Sequence, residues 1–200
     1  PIKFKVKLKK LLKKYKIYTF EYTVNEKFKS FVNINKLVEK CLKNSDLVLI
    51  SRGISVGDYD FVKQALENNE VEEIFYKVNQ RPGKPLWFGQ KGKTKVYALP
   101  GNPASSLSCF YVYVLPLVKA QMGIANPHLA RLKATASEAI HIPTGKTLFL
   151  KGNVEDSQAS LLTGQASSML KSFAVSNALL LVPEDKEIIQ KGEELTYIAL

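Results

Sequence analysis

A short, uninterrupted apolar run at Asp46–Ser51 constrains the fold of this chain more than any other feature of its sequence. Such runs are typical of strands that are buried on both faces of a parallel sheet. Apolar residues recur near helical spacing in the preceding segment, Phe28–Leu42, which predicts an amphipathic helix. Before it, Lys16–Val24 is rich in β-branched and aromatic residues and predicts another strand. Strand, helix and strand in this order predict a βαβ unit, and therefore an α/β fold.

The rest of the chain predicts two domains of different character. Three more strands and a long helix continue the α/β pattern, at Glu73–Val78, Pro85–Phe88, Val96–Leu99 and Ala104–Met122. After a turn-rich linker, short alternating runs predict a small all-β domain. These runs are Leu132–Ala136, Leu148–Gly152, Ala159–Leu162, Ala178–Val182 and Glu194–Ala199. We therefore expect an α/β domain over residues 1–124 and a small β-barrel or sandwich over residues 125–200.

The net charge of +11 does not by itself predict a nucleic-acid-binding protein. Of the 29 basic and 18 acidic residues in the chain, residues 1–43 contain 13 lysines and 3 acidic residues, so the remainder is nearly neutral. A lysine-rich segment without interleaved arginine and glycine is more typical of a solvated face than of a phosphate track. We therefore expect no nucleic-acid partner.

The sequence also argues against several other classes of protein. No run of about 18 apolar residues occurs, so no membrane span is predicted. The first residue is Pro1 and not Met, so we expect the chain to be a fragment. No charged and then apolar leader opens it, so no signal peptide is predicted. Cys41 and Cys109 lie beside apolar residues, which favours buried thiols in a reducing cytoplasm over a disulfide framework. His128 and His141 lack partner ligands at zinc spacing, so no zinc site is predicted.

The first of three polar loops follows the buried strand and has the sequence SRGISVGDYD, residues 51–60. Its glycines, Gly53 and Gly57, would let backbone N–H groups approach a phosphate or a pterin closely. Asp58 and Asp60 offer two carboxylates, which are ligands suited to Mg²⁺ beside a phosphate. An ordinary strand-to-helix turn with an aspartate cap explains the same residues equally well, so both interpretations stay open.

The second loop combines cations with residues that restrict the backbone. Lys77, Arg81 and Lys84 lie in or beside a segment that contains two prolines and a glycine. A rigid cationic loop suits an anion such as phosphate or molybdate. The alternative is a solvated turn between strands, although two prolines make a merely flexible turn less favourable.

The third loop, Leu99–Ser106, leads from a buried strand into the long helix. The N–H groups at a helix start favour an anion, although a plain helix start is the alternative. Ligands of open α/β sheets bind beyond the carboxyl ends of the strands, so we expect all three loops to converge on one anion site.

Taken together in this order, the three loops resemble the MoeA and gephyrin E-domain family. The matching stretches are Ser45–Lys63, Phe75–Gly89 and Ala98–Phe110, and Gly164–Glu184 resembles the C-terminal β-domain of the family. The resemblance implies a MogA-like molybdopterin-binding domain, a three-layer α/β/α fold with a mostly parallel sheet, followed by a small C-terminal β-barrel. The strand and acidic loop that normally open the first of these domains are absent, so we expect its N-terminal part to be missing.

The resemblance also implies an activity. Members of this family are cytoplasmic homodimers that take adenylylated molybdopterin and molybdate, insert the metal and release AMP, with Mg²⁺ assisting. The molybdopterin adenylyltransferase is a further expected partner, and no membrane is expected to take part. The two N-terminal domains of the family are absent, which implies an incomplete catalyst. A gephyrin-like scaffold, which would use the same fold without catalysis, is the alternative.

The resemblance assigns roles to individual residues. Asp60 matches a functional aspartate, and Lys77 and Arg81 match two cationic positions near the active site, so these three are the expected catalytic residues. Asp58 and Asp60 are the expected metal ligands. Lys151 falls near a basic position that is usually arginine, and Ser167 or Ser168 falls near a functional serine. The expected substrate-binding residues are Ser51, Gly53, Ser55, Gly57, Asp58, Lys84, Pro100, Gly101, Asn102, Pro103, Ser105, Lys151, Ser167 and Ser168.

One departure from the family pattern affects the first loop. Arg52 stands where the family has the first of two glycines. Its guanidinium group could bind a phosphate, or its side chain could obstruct the close backbone approach that glycine permits. We expect obstruction.

Overall fold

The computed structural model describes residues 30–51, 61–142, 145–166 and 169–200. These residues form two compact units. The first unit contains the described residues up to Tyr76 together with Pro85–Pro103, and the second contains Lys77–Lys84 and Ala104–Leu200. The strand predicted at Lys16–Val24 lies outside the described residues, and the domain boundary predicted after residue 124 stays a prediction.

The first unit combines two helices with a four-stranded sheet. Its elements are α1 (Phe31–Asn44), β1 (Leu47–Ser51), α2 (Phe61–Asn68), β2 (Glu72–Tyr76), β4 (Trp87–Lys91) and β5 (Thr94–Leu99). The sheet order is β1-β5-β4-β2. Strands β1 and β5 are parallel, whereas β4 pairs antiparallel with both β5 and β2. The sheet was expected to be mostly parallel, and its described part is mixed. Strands β4 and β5 are joined by a two-residue turn, which is too short for a parallel crossover, and β2 pairs antiparallel with β4.

Apolar faces of both helices and of the sheet form the core of the first unit. Val38 of α1, Leu66 of α2 and Val96 of β5 are all buried in one cluster. Ser30 begins α1, because its side chain accepts a hydrogen bond from Asn33 N over 3.4 Å and so satisfies one of the free N–H groups of the first turn. The predicted amphipathic helix is confirmed. The strand that follows it is also present, although Val48 is its only fully buried residue and Ser51 is exposed.

The second unit contains a β-barrel and a long helix. Its strands are β3 (Gln80–Arg81), β6 (Arg131–Ala136), β7 (Ile140–His141), β8 (Thr147–Glu155), β9 (Gln158–Leu161), β10 (Ala178–Val182), β11 (Ile188–Ile189) and β12 (Glu194–Ala199), and a short helix, α5, spans Leu170–Val175. The main sheet has the order β10-β12-β6-β9-β8-β3, and a further pairing of β10 with β8 closes five of these strands into a barrel. All five strands predicted for the all-β domain are present.

The predicted long helix is continuous but changes its hydrogen bonding in the middle. It consists of α3 (Pro103–Cys109), a π-helical segment (Phe110–Val114) and α4 (Leu115–Gln121). The N–H of Leu115 bonds to Phe110 O, five residues earlier. Pro116 has no N–H to donate and its ring crowds the preceding turn, which accounts for a widened turn at this position. Within the described residues, no helix is both long enough and apolar enough to span a membrane.

Candidate anion-binding site

The first and third loops start from neighbouring strands of the first unit. Strands β1 and β5 run parallel, and Ser51 pairs in register with Leu99. Ser51 is exposed, and Pro100, which follows Leu99, is buried. The two strands therefore end side by side, which is the place where ligands of such sheets bind. Gly101, Asn102 and Pro103 are partly buried beyond this edge.

Several predicted site residues lie outside the described residues. They are Gly53, Ser55, Gly57, Asp58 and Asp60 of the first loop, and Ser167 and Ser168 of the barrel. Within the described part of the chain, no three His, Cys, Asp or Glu side chains come together as a metal site. The convergence of the three loops and the Mg²⁺ site therefore stay predictions.

The second loop belongs to the second unit and is attached to the barrel. Its strand β3 pairs parallel with β8, which places Arg81 beside Leu148. The amide of Asn79 strengthens this attachment, because its nitrogen donates to Gly145 O over 3.0 Å and to a Glu184 carboxylate oxygen over 2.9 Å. The sequence predicted only a rigid turn here, whereas in the structure the loop contains the short strand β3, which pairs with the barrel.

A buried polar network fixes the chain on both sides of Arg81. Gln80 is 3% exposed, and its amide nitrogen donates to Gly83 O over 3.4 Å and to Cys109 Sγ over 3.6 Å. The hydroxyl of Tyr113, in the π-helical segment, donates to the amide oxygen of Gln80. Burial raises the pKa of the Cys109 thiol and that of the Tyr113 hydroxyl to about 12 each, so both groups stay protonated. The network therefore positions Arg81 and is not itself reactive.

The backbone of this loop requires unusual conformations at two positions. Gly83 has φ of +97°, a value that side-chain-bearing residues rarely adopt. Lys77 has φ of 65° although it carries a full side chain. Positive φ at a non-glycine residue is uncommon, and among the described residues it also occurs at Glu70, Asp156 and Ser157. Lys77, Arg81 and Lys84 are all exposed.

A cavity of about 200 Å³ in the second unit brings two of the predicted cations together. Arg81 of β3 and Lys151 of β8 both contribute to its wall, and the described lining residues include no aspartate or glutamate. The lining residues are Arg81, Pro82, Ala104, Ser108, His141, Ile142, Leu148, Phe149, Leu150, Lys151, Leu161 and Gln165. Most of the other described lining residues are apolar, and the two cations favour an anion over a cation in this cavity.

The structure adds three polar residues that the sequence did not predict for this site, Ser108, His141 and Gln165. Ser108 and Ala104 are one helical turn apart and lie on the same face of α3, whereas the predicted Ser105 is buried and does not line the cavity. Gln165 directly precedes the segment in which functional serines were expected. His141 was considered only as a zinc ligand, and no signal in the sequence connects it with Arg81.

Of the two cations that line the cavity, Lys151 is less exposed than Arg81. The residue is 4% exposed, and burial lowers the pKa of its ammonium group. Its Nζ donates to Gly164 O over 2.7 Å, Ser172 Oγ over 2.8 Å and Ala166 O over 3.2 Å, and Met169 O lies at 3.4 Å. Among the described residues, no carboxylate forms an ion pair with it. The positive charge is therefore surrounded by neutral oxygen atoms.

Comparison with known proteins connects both parts of the chain with one group of proteins. A family model described as "Probable molybdopterin binding domain" matches residues 23–120, and one described as "MoeA C-terminal region (domain IV)" matches residues 133–200. The chain is 30% identical to molybdopterin molybdenumtransferase 2 of Mycobacterium tuberculosis, over 80% of this chain and 41% of the relative. It is 31% identical to gephyrin of Dictyostelium discoideum, over 84% of this chain and 27% of the relative.

A solved structure gives the same result for the fold. The molybdopterin biosynthesis MoeA protein from Pyrococcus horikoshii OT3 superposes with a TM-score of 0.69 and 25% sequence identity, over 98% of this chain and 45% of that one. The chain spans about two fifths of the length of the curated transferases that it matches.

Proposed function

This chain belongs to the MoeA and gephyrin family, and on that premise we propose that it acts in molybdenum cofactor biosynthesis as a molybdopterin molybdenumtransferase. In the proposed reaction, molybdate is inserted at the dithiolene of adenylylated molybdopterin, and AMP is released. One observation carries the proposal. Two cations that the resemblance assigned separately, Arg81 and Lys151, line one cavity of the second unit.

The cavity suits a tetrahedral oxyanion. Arg81 offers planar guanidinium donors that can bind two oxygens at once. The hydroxyl of Ser108 and the amide nitrogen of Gln165 also lie in the wall, but they donate within the protein, to Ala104 O and to Lys151 O and Leu162 O, respectively. A volume of about 200 Å³ is large enough for an oxyanion with some of its hydrating water. Lys77 and Lys84 are exposed on the same loop as Arg81 and would increase the local concentration of an anionic substrate.

The pterin nucleotide is proposed to bind at the carboxyl edge of the first unit. The support is the register that ends β1 beside β5, so that the first loop and Pro100–Pro103 start from adjacent positions. Asp58 and Asp60 are the proposed ligands of Mg²⁺, with Asp60 as the catalytic carboxylate, on the basis of sequence alone. A bound Mg²⁺ would neutralise phosphate charge during release of AMP.

We also propose the assembly and location that the family resemblance implies. These are a homodimer in the cytoplasm that receives its substrate from the molybdopterin adenylyltransferase. Both cysteines of the sequence, Cys41 and Cys109, are free thiols, which supports a reducing compartment.

The test of this function combines product release with anion binding. The protein is incubated with adenylylated molybdopterin and molybdate, and AMP is quantified by chromatography, while molybdate affinity is measured by calorimetry. Arg81→Ala is expected to weaken molybdate binding roughly tenfold and to reduce its dependence on salt, because one charge-assisted contact is removed.

Arg131→Ala is the matched control, because Arg131 is also an exposed arginine of the second unit but does not line the cavity. Equal affinity in the two variants would remove Arg81 from the site. A gephyrin-like scaffold, which the Dictyostelium relative makes the second candidate, would not release AMP in a molybdate-dependent manner.

A further inference from the structure

The ammonium group of Lys151 has no N–H to spare for a substrate. An ammonium group has three donors. Its two shortest contacts, at 2.7 Å and 2.8 Å, use two of them, and the carbonyls of Ala166 and Met169 share the third. A molybdate oxygen could therefore contact Nζ only after one of these hydrogen bonds had broken.

All four acceptors belong to one short segment of chain, residues 164–172. In the chain, Ala166 and Met169 flank the two serines to which the resemblance gave a functional role. Ser172 reinforces the arrangement, because its hydroxyl lies 2.8 Å from both Gly164 O and Met169 O. The ammonium group thus holds the segment on both sides of the serine pair.

The backbone of Lys151 also forms hydrogen bonds with the same segment. Lys151 N donates to the amide oxygen of Gln165 over 3.0 Å, and the amide nitrogen of Gln165 donates to Lys151 O over 2.7 Å. The side-chain amide of Gln165 therefore pairs with the backbone of Lys151 in β8 as the backbone of a neighbouring strand would. Gln165 also lines the cavity.

We propose that Lys151 is a positioning residue, which holds residues 164–166 and 169–172 in place, and with them Gln165 in the wall of the anion-binding cavity, and does not bind the oxyanion directly. This inference rests on the proposed function for the identity of the anion. It differs from the direct contact that the resemblance to an arginine position implies. The charge of Lys151 still acts on the anion through space, because the described partners of the ammonium group are neutral.

Substitution by arginine separates the two roles. A guanidinium group is planar and spreads its donors over a fork, so it cannot direct three donors from one point at these converging oxygens. If Lys151 were a direct ligand, Lys151→Arg would keep or strengthen molybdate binding. If it positions the segment, Lys151→Arg is expected to weaken binding nearly as much as Lys151→Met.

The decisive measurement is hydrogen exchange of the full chain, followed by mass spectrometry of peptides that cover residues 162–172. Both Lys151 variants are expected to exchange roughly tenfold faster there, while peptides from the first unit remain unchanged. Ser172→Ala keeps the charge of Lys151 and removes one of its acceptors, so it is expected to show a smaller increase. Ser172 does not line the cavity, yet this variant should also raise the KM for molybdate more than it lowers kcat.

Ser176→Ala is the matched control, because among the described residues the hydroxyl of Ser176 donates to Phe173 O, at the end of the helix, and not to the segment that Lys151 binds. Unchanged exchange at residues 162–172 in Lys151→Met and Ser172→Ala would overturn the positioning role. Tighter molybdate binding by Lys151→Arg would also overturn it. Failure of the parent protein to bind molybdate would overturn the proposed function, and the exchange data would still decide the role of Lys151.

Discussion

Replacement of Gly83 by alanine tests whether the loop that carries Arg81 is held as tightly as its contacts indicate. A Cβ atom at this position would lie 2.4 Å from Cys109 Sγ and 2.9 Å from the amide nitrogen of Gln80. The φ of +97° adds backbone strain of about 1–2 kcal/mol for a residue with a side chain. Overpacking against the buried thiol adds about 1–3 kcal/mol. We therefore expect Gly83→Ala to lower the free energy of unfolding by roughly 2–5 kcal/mol.

Gly192→Ala provides the matched control for backbone strain. Gly192 belongs to the same unit and has φ of +82°, but a Cβ there would meet no atom within 4 Å. Its cost is expected to be only the strain of about 1–2 kcal/mol. The difference between the two variants isolates the clashes with Cys109 and Gln80, since the gain from a less flexible unfolded chain is common to both.

Urea denaturation followed by circular dichroism measures these differences. Adding Cys109→Ala to Gly83→Ala removes the sulfur atom and is expected to recover about 1–2 kcal/mol relative to the sum of the single substitutions. Molybdate affinity should fall in Gly83→Ala, because the displaced loop carries Arg81, and should not change in Gly192→Ala. Equal destabilisation by Gly83→Ala and Gly192→Ala would refute the reasoning, because it would mean that the loop moves away from Cys109 without cost.

Two further predictions concern Lys77 of the cationic loop and Asp60, the proposed catalytic carboxylate. Lys77→Gly is expected to be more stable than Lys77→Ala by about 1 kcal/mol, because φ at this position is 65° and glycine adopts that value without strain. Both variants lose the same cation, so they should bind molybdate equally weakly. Urea denaturation and calorimetry of the pair check this, and an alanine variant as stable as the glycine variant would contradict it. Asp60→Asn is expected to lower molybdate-dependent AMP release by roughly a hundredfold or more, as loss of a metal ligand or general base does, with an unchanged circular dichroism spectrum. An unchanged rate would remove Asp60 from the site.

The spacing of apolar residues predicted the helices and strands that are long enough to show a repeating pattern. The apolar run at Asp46–Ser51 became β1, and each alternating run after residue 127 became a barrel strand, because burial of one or both faces imposes the pattern directly on the sequence. Strand β3 could not be predicted in this way. It is two residues long, and its partner β8 lies far along the chain. The π-helical segment left only an indirect signal, the proline inside an otherwise helical pattern.

The candidate site shows the same division between local and long-range information. Arg81 was predicted because proline, glycine and cations occur together in a short stretch. The environment of Lys151 was not predicted, since its partners are mainly backbone carbonyls, which every residue has and no composition reveals. His141 was set aside for lack of metal ligands, and only the fold places it in the wall of the cavity that the two cations also line.

The attachment of the cationic loop has a consequence for how the chain can be divided. The family models separate a molybdopterin-binding part that ends at residue 120 from a C-terminal part that begins at residue 133. Residues 77–84 fall in the first of these parts by sequence, yet they belong to the compact unit of the barrel, through β3, Asn79 and the network around Gln80. The main-chain pairing of β3 with β8 fixes Arg81 relative to the strand that carries Lys151. Because the two cations are held at one cavity by these bonds, a molybdopterin-binding part without the barrel would keep the Arg81 sequence and lose the support that places it. The proposed anion site therefore depends on both sequence regions together.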